Sequence, residues 1–183
     1  TVRNCSKYAA VAKSPVKATL ASWPSPDKPC ARVHSDYAGP YEGTNFLVIE
    51  DAYSKWPEIF RTDRTTANAM ISLLRQVCAK YEMPETIVSD NGTQFVPAEF
   101  ENFCAENGIK HVFSPPCRRQ SNDQAEQFVD TFTCGLHKLK GEGTLDQILQ
   151  TFLLSYRLTS IPTLDGSKSP AELFIGRKPP TTL

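Results

Sequence analysis

Asp36, Asp90 and Glu126 are the residues whose type and position point most directly to chemistry. The surrounding pattern places Asp36 at the end of a strand, Asp90 at a glycine-containing turn after another strand, and Glu126 within a helix. Ligands bind at the carboxyl ends of the strands in an α/β sheet. Carboxylates there are hard oxygen ligands suited to Mg²⁺, which also accepts phosphate oxygens. If the three side chains meet, they form a site for divalent cations.

Each acid also has an ordinary structural interpretation. Asp36 could start the turn that follows its strand, and Asp90 could simply belong to a common Asp-Asn-Gly turn. Glu126 could complete a helix capping box with Asp123. A competing Ser-x-x-Gln box begins at Ser121 and would place Glu126 in the body of the helix, free to point elsewhere. The residues alone leave both interpretations open.

The elements that must position these acids follow from the hydrophobic pattern. Alternating or continuous apolar stretches predict strands at residues 32–37, 45–52, 56–61, 86–89 and 109–113. Helical spacing predicts a helix capped by Thr65 or Thr66 and ending before Pro84, and further helices at about 98–106, 122–140, 145–157 and 170–174. The first strand is expected to end at a turn formed by residues 38–40. This order predicts a mixed α/β sheet with helices packed on it.

The length and composition fit one soluble domain preceded by a short extra segment. The chain has 183 residues, of which 40% are hydrophobic and 22% charged, and no apolar run approaches the roughly 20 residues that span a bilayer. Residues 1–30 contain four of the 14 prolines, which predicts an extended linker, and residues 31–183 are predicted to form the folded core. Because the chain starts at Thr1 without Met or an apolar leader, we expect a part of a longer, non-secreted polypeptide.

The distribution of charge bears on DNA binding, and the spacing of the cysteines bears on their redox state. The net charge is zero, but residues 1–30 carry five basic residues and one acidic residue (+4), which leaves 15 basic and 19 acidic residues (−4) for the remainder. An acidic domain binds DNA poorly unless bound metal offsets its charge. The six scattered cysteines include no Cys-x-x-Cys pair, so reduced, intracellular thiols are predicted.

Six segments, in order, resemble the integrase core of Ty3/gypsy-type retrotransposon polyproteins, a retroviral-type integrase. They are His-Ser-Asp-Tyr-Ala-Gly-Pro (34–40), Asp-Ala-Tyr-Ser-Lys-Trp-Pro-Glu (51–58), Val-Ser-Asp-Asn-Gly-Thr-Gln-Phe (88–95), Asn-Gly-Ile-Lys-His (107–111), Ser-Asn-Asp-Gln-Ala-Glu-Gln-Phe (121–128) and Ser-Pro-Ala-Glu-Leu-Phe-Ile-Gly-Arg (169–177). The resemblance covers roughly residues 20–183. It includes the family's order of two aspartates and then a glutamate after a 35-residue gap.

The resemblance implies an RNase H-like fold with a five-stranded mixed sheet flanked by helices. It implies that Asp36, Asp90 and Glu126 hold two Mg²⁺ or Mn²⁺ ions for 3′-end processing and strand transfer of DNA. It also implies DNA partners (element ends and target), a homo-oligomer, no membrane, and a place in the nucleus of a eukaryotic host or in a virus-like particle. The residues that we predict to contact nucleic acid are Asn91, Gln94, Arg118, Arg119, Asn122 and Lys138, although Arg118 and Arg119 fit ordinary surface arginines equally well.

The chain departs from the family pattern at several positions. The family's preceding zinc module ends in Cys-x-x-Cys, whereas this chain has Cys5-Ser6-Lys7-Tyr8, so residues 1–30 hold only a remnant and no zinc is expected. Asp123, Gln127 and Thr133 replace residues that the family usually has as Gly, Arg and Lys. These changes support a second hypothesis, a catalytically inactive or host-adopted module that binds nucleic acid or partner subunits. A transposase or nuclease of the same fold is a third.

Overall fold

The structure is a computed structural model that describes residues 24–90, 92–114, 123–178 and 180, without the side chains of residues 123 and 124. The predicted linker and zinc-module remnant therefore lie largely outside the described residues, as do the predicted DNA contacts Asn91, Arg118, Arg119 and Asn122. Within the described part, no helix is long and apolar enough to cross a membrane.

The described strands and helices follow one another in the predicted order. The strands are β1 (Arg32–Tyr41), β2 (Thr44–Asp51), β3 (Pro57–Thr62), β4 (Thr86–Ser89) and β5 (Lys110–Phe113). The helices are α1 (Ala67–Lys80), α2 (Ala98–Glu106), α3 (Asp123–Lys138), α4 (Leu145–Leu158) and α5 (Pro170–Ile175), with a 3₁₀ helix at Asp165–Ser167.

The five strands form one mixed sheet in the order β3-β2-β1-β4-β5. The pairs β1–β2 and β2–β3 are antiparallel, and the pairs β1–β4 and β4–β5 are parallel. This arrangement confirms the predicted five-stranded mixed sheet flanked by helices. It also makes β1 the central strand, with β4 directly beside it.

Helices cover both faces of the sheet. On one face, Leu47 and Ile87 pack in a cluster with Met70 and Leu74 of α1 and with aromatic residues of α2. On the other, Phe46 and other strand residues pack against α3 and α4. Successive residues of a strand point to opposite faces, so β1, β2 and β3 each supply residues to both clusters.

Strand β1 differs from its predicted end. We expected it to stop at residue 37 and turn through residues 38–40, but it runs to Tyr41 and pairs with β2 as far as Thr44. The pairing register shifts between Ala38 and Tyr41, and the Gly39–Pro40 peptide bond is cis. Strand β1 continues past residue 37 because β2 still provides backbone pairing partners for it. The shift in register accommodates the additional residues of β1.

Helix α3 lies unusually close to α4. A Cβ atom added to Gly135 would come within 2.5 Å of the Phe152 ring, so only glycine permits this approach. Helix α4 begins at a complete capping box in which Thr144 and Gln147 each bind the other's backbone N–H. Helix α3 thus packs against both α4 and the sheet.

Candidate metal centre beside strands β1 and β4

The two aspartates are brought to the same level of the sheet by strand pairing. Ser35 of β1 pairs with Ser89, the last residue of the parallel strand β4. Asp36 and Asp90 therefore each follow a member of the same pair. We expected Asp36 to lie at the end of its strand. It lies instead inside β1, opposite Val48 of β2.

The alternation of side chains places both aspartates on the face covered by α3. In β1, Asp36 shares its face with Ala38, which packs in the cluster with α3 and α4. In β4, Ile87 packs on the opposite face with α1 and α2, so the alternation assigns Asp90 to the α3 face. Glu126 lies in the first turn of α3, on the helix that packs over β1.

One oxygen of each aspartate is held by a nearby backbone amide. The Tyr37 N–H donates to Asp36 Oδ1 at 2.7 Å, and the Gly92 N–H donates to Asp90 Oδ1 at 2.9 Å. No hydrogen bond between the described residues involves the second oxygen of either carboxylate. These oxygens keep their capacity to bind a cation.

The electrostatics of the site centre on Asp36. Burial raises the pKa of Asp36 from 3.8 to about 6, the Tyr37 N–H acts in the opposite direction, and the negative charges of Asp90 and Glu126 raise it further. All three carboxylates are therefore near enough to interact electrostatically. A partly buried carboxylate surrounded by like charges disfavours its own ionised form unless a cation compensates.

The three carboxylates do not form a complete cluster of ligands. Among the described residues, no group of three or more His, Cys, Asp or Glu side chains is arranged to hold a single metal ion. Glu126 is exposed, whereas Asp36 and Asp90 are partly buried. The donor set of Asp36 and Asp90, with hard oxygens and excess negative charge, fits a divalent cation, and Glu126 is the nearby acid that would join it. The triad assignment remains a prediction.

The predicted DNA contacts that are described lie at different distances from this site. Gln94 is in the same loop as Asp90, and its amide lies over Gly92, where it leaves no room for a side chain. Lys138 is exposed in the last turn of α3. Twelve residues separate it from Glu126, which is about 18 Å along a helix. Of the two, only Gln94 is a neighbour of the aspartates.

One polar contact near the site was not anticipated from the sequence. Ser89 Oγ lies 2.8 Å from His111 Nε2, and the sequence pattern assigns neither residue a role. The two residues are 22 positions apart on neighbouring strands. Their proximity depends on the parallel pairing of β4 with β5, which the local pattern predicts only as two separate strands.

The chain is similar in sequence to a known protein family and to several known proteins. The integrase core domain family model matches residues 26–119, a range that contains both aspartates and ends before Glu126. An uncharacterised protein of Caenorhabditis elegans is 43% identical over all 183 residues, which span 14% of that protein. The Pol polyprotein of radiation murine leukemia virus is 32% identical and the Gag-Pol polyprotein of feline leukemia virus 30% identical, each over 78% of this chain. The chain spans 25% and 8% of those polyproteins.

The fold has a counterpart among solved structures. A chain of the simian T-cell lymphotropic virus intasome, determined by cryo-electron microscopy in complex with PP2A regulatory subunit B56 gamma, superimposes with a TM-score of 0.72. The match covers 85% of this chain and 57% of the intasome chain at 21% sequence identity. At this identity the likeness establishes the fold, with its five-stranded sheet and flanking helices.

Proposed function

The chain belongs to the integrase core domain family of retroviral and retrotransposon polyproteins, and we propose that it catalyses metal-dependent 3′-end processing and strand transfer of retrotransposon DNA. The observation that carries this proposal is the environment of Asp36. It is a partly buried carboxylate beside Asp90, and its pKa is raised by burial and by the charges of Asp90 and Glu126. Such an arrangement costs free energy in the metal-free protein and is useful where cations bind.

In this proposal Asp36 and Asp90 hold the cations and Glu126 completes the set from α3. Two bound Mg²⁺ or Mn²⁺ ions supply activation of the attacking water or 3′-hydroxyl and stabilisation of the leaving oxygen. The protein's own part is positional. The Tyr37 and Gly92 amides hold one oxygen of each aspartate, and α3, which packs on β1 and β2, carries Glu126.

Replacing Asp90 by Asn tests this function. We expect strand transfer between oligonucleotides to fall by about a hundredfold to a thousandfold, a loss typical of removing an interaction made with the reacting groups. Asp63→Asn is a matched control, because Asp63 is exposed just beyond β3. Full activity of the Asp90 variant, with both variants folded by circular dichroism, would show that the triad assignment is wrong.

A second candidate is an inactive or host-adopted integrase module that binds nucleic acid or partner subunits. The exposure of Glu126, together with Gln127 and Thr133 in place of the family's usual basic residues, favours it. Calorimetric titration with Mn²⁺ separates the two candidates. A catalytic core binds Mn²⁺ in a way that Asp36→Asn abolishes, whereas an inactive module gives the same titration for wild type and variant.

DNA, a homo-oligomeric assembly and a nuclear or virus-like-particle location complete the proposal. The fold counterpart comes from an intasome. Mass measurement by light scattering with and without element-end oligonucleotides tests the assembly. A chain that stays monomeric and does not bind DNA in Mg²⁺ would contradict it.

A further inference from the structure

Behind the sheet face that carries the aspartates, a serine and a histidine contact the turn of Asp90. Ser89 is fully buried at the end of β4. Its hydroxyl donates to the backbone carbonyl of Asp90 at 3.0 Å and lies 2.8 Å from His111 Nε2. A hydroxyl has one proton, so when it donates to Asp90 it can only accept from the histidine. When the hydroxyl donates to Asp90, therefore, Nε2 of His111 carries the proton that the hydroxyl accepts.

The histidine is held in this orientation by aromatic rings. The imidazole meets Phe113 edge to face with ring centroids 4.3 Å apart, and Phe100 at 4.8 Å. Phe95, which is fully buried in the loop after Asp90, lies 6.3 Å from it. Burial lowers the pKa of His111, while the charge of Glu101 acts weakly in the opposite sense. The ring is thus confined by its aromatic neighbours, and burial disfavours its charged form.

The same loop also supports the carboxylate of Asp90. The Gly92 N–H donates to Asp90 Oδ1, and the Phe95 N–H donates to the Gly92 carbonyl at 2.9 Å. Phe95 in turn packs against the ring of Tyr37, the neighbour of Asp36. Asp90 is therefore fixed at two points, its carbonyl through Ser89 and its carboxylate through Gly92.

We propose that His111 is a positioning residue for Asp90, which acts through the Ser89 hydroxyl to hold the turn that presents the Asp90 carboxylate to a divalent cation. The inference rests on the proposed function for the role of the cation. It assigns to β5, an edge strand of the sheet, a part in the site that acts through Ser89. Outer partners of this kind typically change metal affinity about 10- to 100-fold when removed.

Two substitutions of His111 separate positioning from mere packing. His111→Phe keeps an aromatic ring but removes the donor, and His111→Gln places an amide N–H where Nε2 stood. We expect the Phe variant to weaken Mn²⁺ binding by about tenfold in calorimetry and the Gln variant to recover most of that loss. If both variants bind Mn²⁺ as tightly as wild type, the proposal is wrong.

Two readouts do not depend on metal. In a two-bond ¹H–¹⁵N spectrum of the metal-free protein, we expect the His111 proton on Nε2, and a proton on Nδ1 alone would overturn the inference. Hydrogen exchange of the Gly92 amide should become about fivefold faster in His111→Phe and in Ser89→Ala, because the turn loses an anchor worth about 1 kcal/mol. Unchanged Gly92 exchange in both variants would also overturn it.

These readouts keep the two proposals distinguishable. Asp90→Asn with full strand transfer contradicts the proposed function, while the Nε2 proton and faster Gly92 exchange would still support the link from His111 to the turn of Asp90. Ser89→Ala removes a single atom and serves as the variant of choice if His111→Phe fails to fold. Ser89→Thr, which keeps the hydroxyl, is its matched control.

Discussion

Asp36 illustrates how a functional residue can act against the stability of the protein that carries it. Burial and two neighbouring negative charges raise its pKa to about 6, so at neutral pH the ionised form is held in an unfavourable place. The Tyr37 N–H offsets only part of this. A residue selected for packing alone would be uncharged at this position. A bound cation would compensate the unfavourable negative charge of Asp36.

Asp36→Asn is expected to stabilise the metal-free protein at neutral pH. The pKa of Asp36 is raised on folding from 3.8 to about 6, so its favourable contribution is present below pH 3.8 and is lost as the pH rises through 6. The variant does not ionise, so its advantage grows between those values and is constant above them. We expect about 1 to 3 kcal/mol at pH 7.5 and none near pH 3.5, measured by urea denaturation. Asp63→Asn, at an exposed position, should show no such pH dependence.

Divalent cations should make the wild-type protein more stable than Asp36→Asn. A ligand that binds only the native state stabilises it by about 2.7 kcal/mol at a concentration 100 times its dissociation constant. We expect Mn²⁺ to raise the melting temperature of wild type but not of Asp36→Asn. The effect should shrink as the pH falls below about 6, because protons then compete for Asp36. An equal Mn²⁺ response of the two proteins at pH 7.5 would argue against cation binding at Asp36.

Helix α3 is the element on which the completeness of the site depends. It carries Glu126 in its first turn, and its position is set farther along, where Phe132 packs edge to face on Phe46 of the sheet and Gly135 faces Phe152. The hydrophobic spacing of α3 predicts the helix and its inward face. It does not predict how closely α4 approaches, because that depends on the absence of a side chain at a single position.

Gly135→Ala should destabilise the protein although alanine is the better helix former. The gain in helix propensity is about 1 kcal/mol, while forcing a methyl group against the buried Phe152 ring costs about 1 to 3 kcal/mol. We expect a net loss of about 1 kcal/mol and weaker Mn²⁺ binding, because α3 must move. A double-mutant cycle with Phe152→Leu is the check. Additive losses would show that the two residues do not interact as the structure describes.

At the level of the whole molecule, Glu58 joins elements that are far apart in sequence. Its carboxylate accepts hydrogen bonds from Tyr81 at 2.5 Å and from Arg157 at 2.9 Å, and Lys80 lies 3.6 Å away. Arg157 also lies over the ring of Trp56 and donates to a backbone carbonyl of β3. One buried acid thus links β3 with α1 and α4.

The same region holds the last helix in place. The Trp56 ring stacks on Phe174 of α5 with centroids 5.0 Å apart, and Tyr81 meets the other side of Phe174 edge to face. Helix α5 is short, but a complete capping box at Ser169 and Glu172 defines where it begins. Its attachment to the sheet therefore depends on aromatic contacts arranged around Glu58.

The sequence predicts secondary structure, which depends on neighbouring residues. It does not predict strand pairing or contacts between residues that are far apart in the chain. The order of strands and helices follows from periodicity, and α1 buries Met70 and Leu74 at helical spacing. The continuation of β1 through a Gly-Pro pair was missed, because turn chemistry is local whereas strand pairing is not. The contact of Glu58 with Arg157 spans 99 positions and has no local signature.

Glu58→Gln is expected to be among the most destabilising conservative changes in the chain. It removes the counter-charge of Arg157, whose side chain is only 21% exposed, and breaking such a pair typically costs about 3 to 5 kcal/mol. Asp146→Asn breaks the exposed pair with Arg61, whose two side chains are 64% and 44% exposed, and should cost less than about 1 kcal/mol. Urea denaturation of both variants measures the difference directly. Similar losses for the two would mean that Glu58 is one surface contact among many, while a much larger loss for Glu58→Gln would establish it as the point through which β3, α1, α4 and α5 are held together.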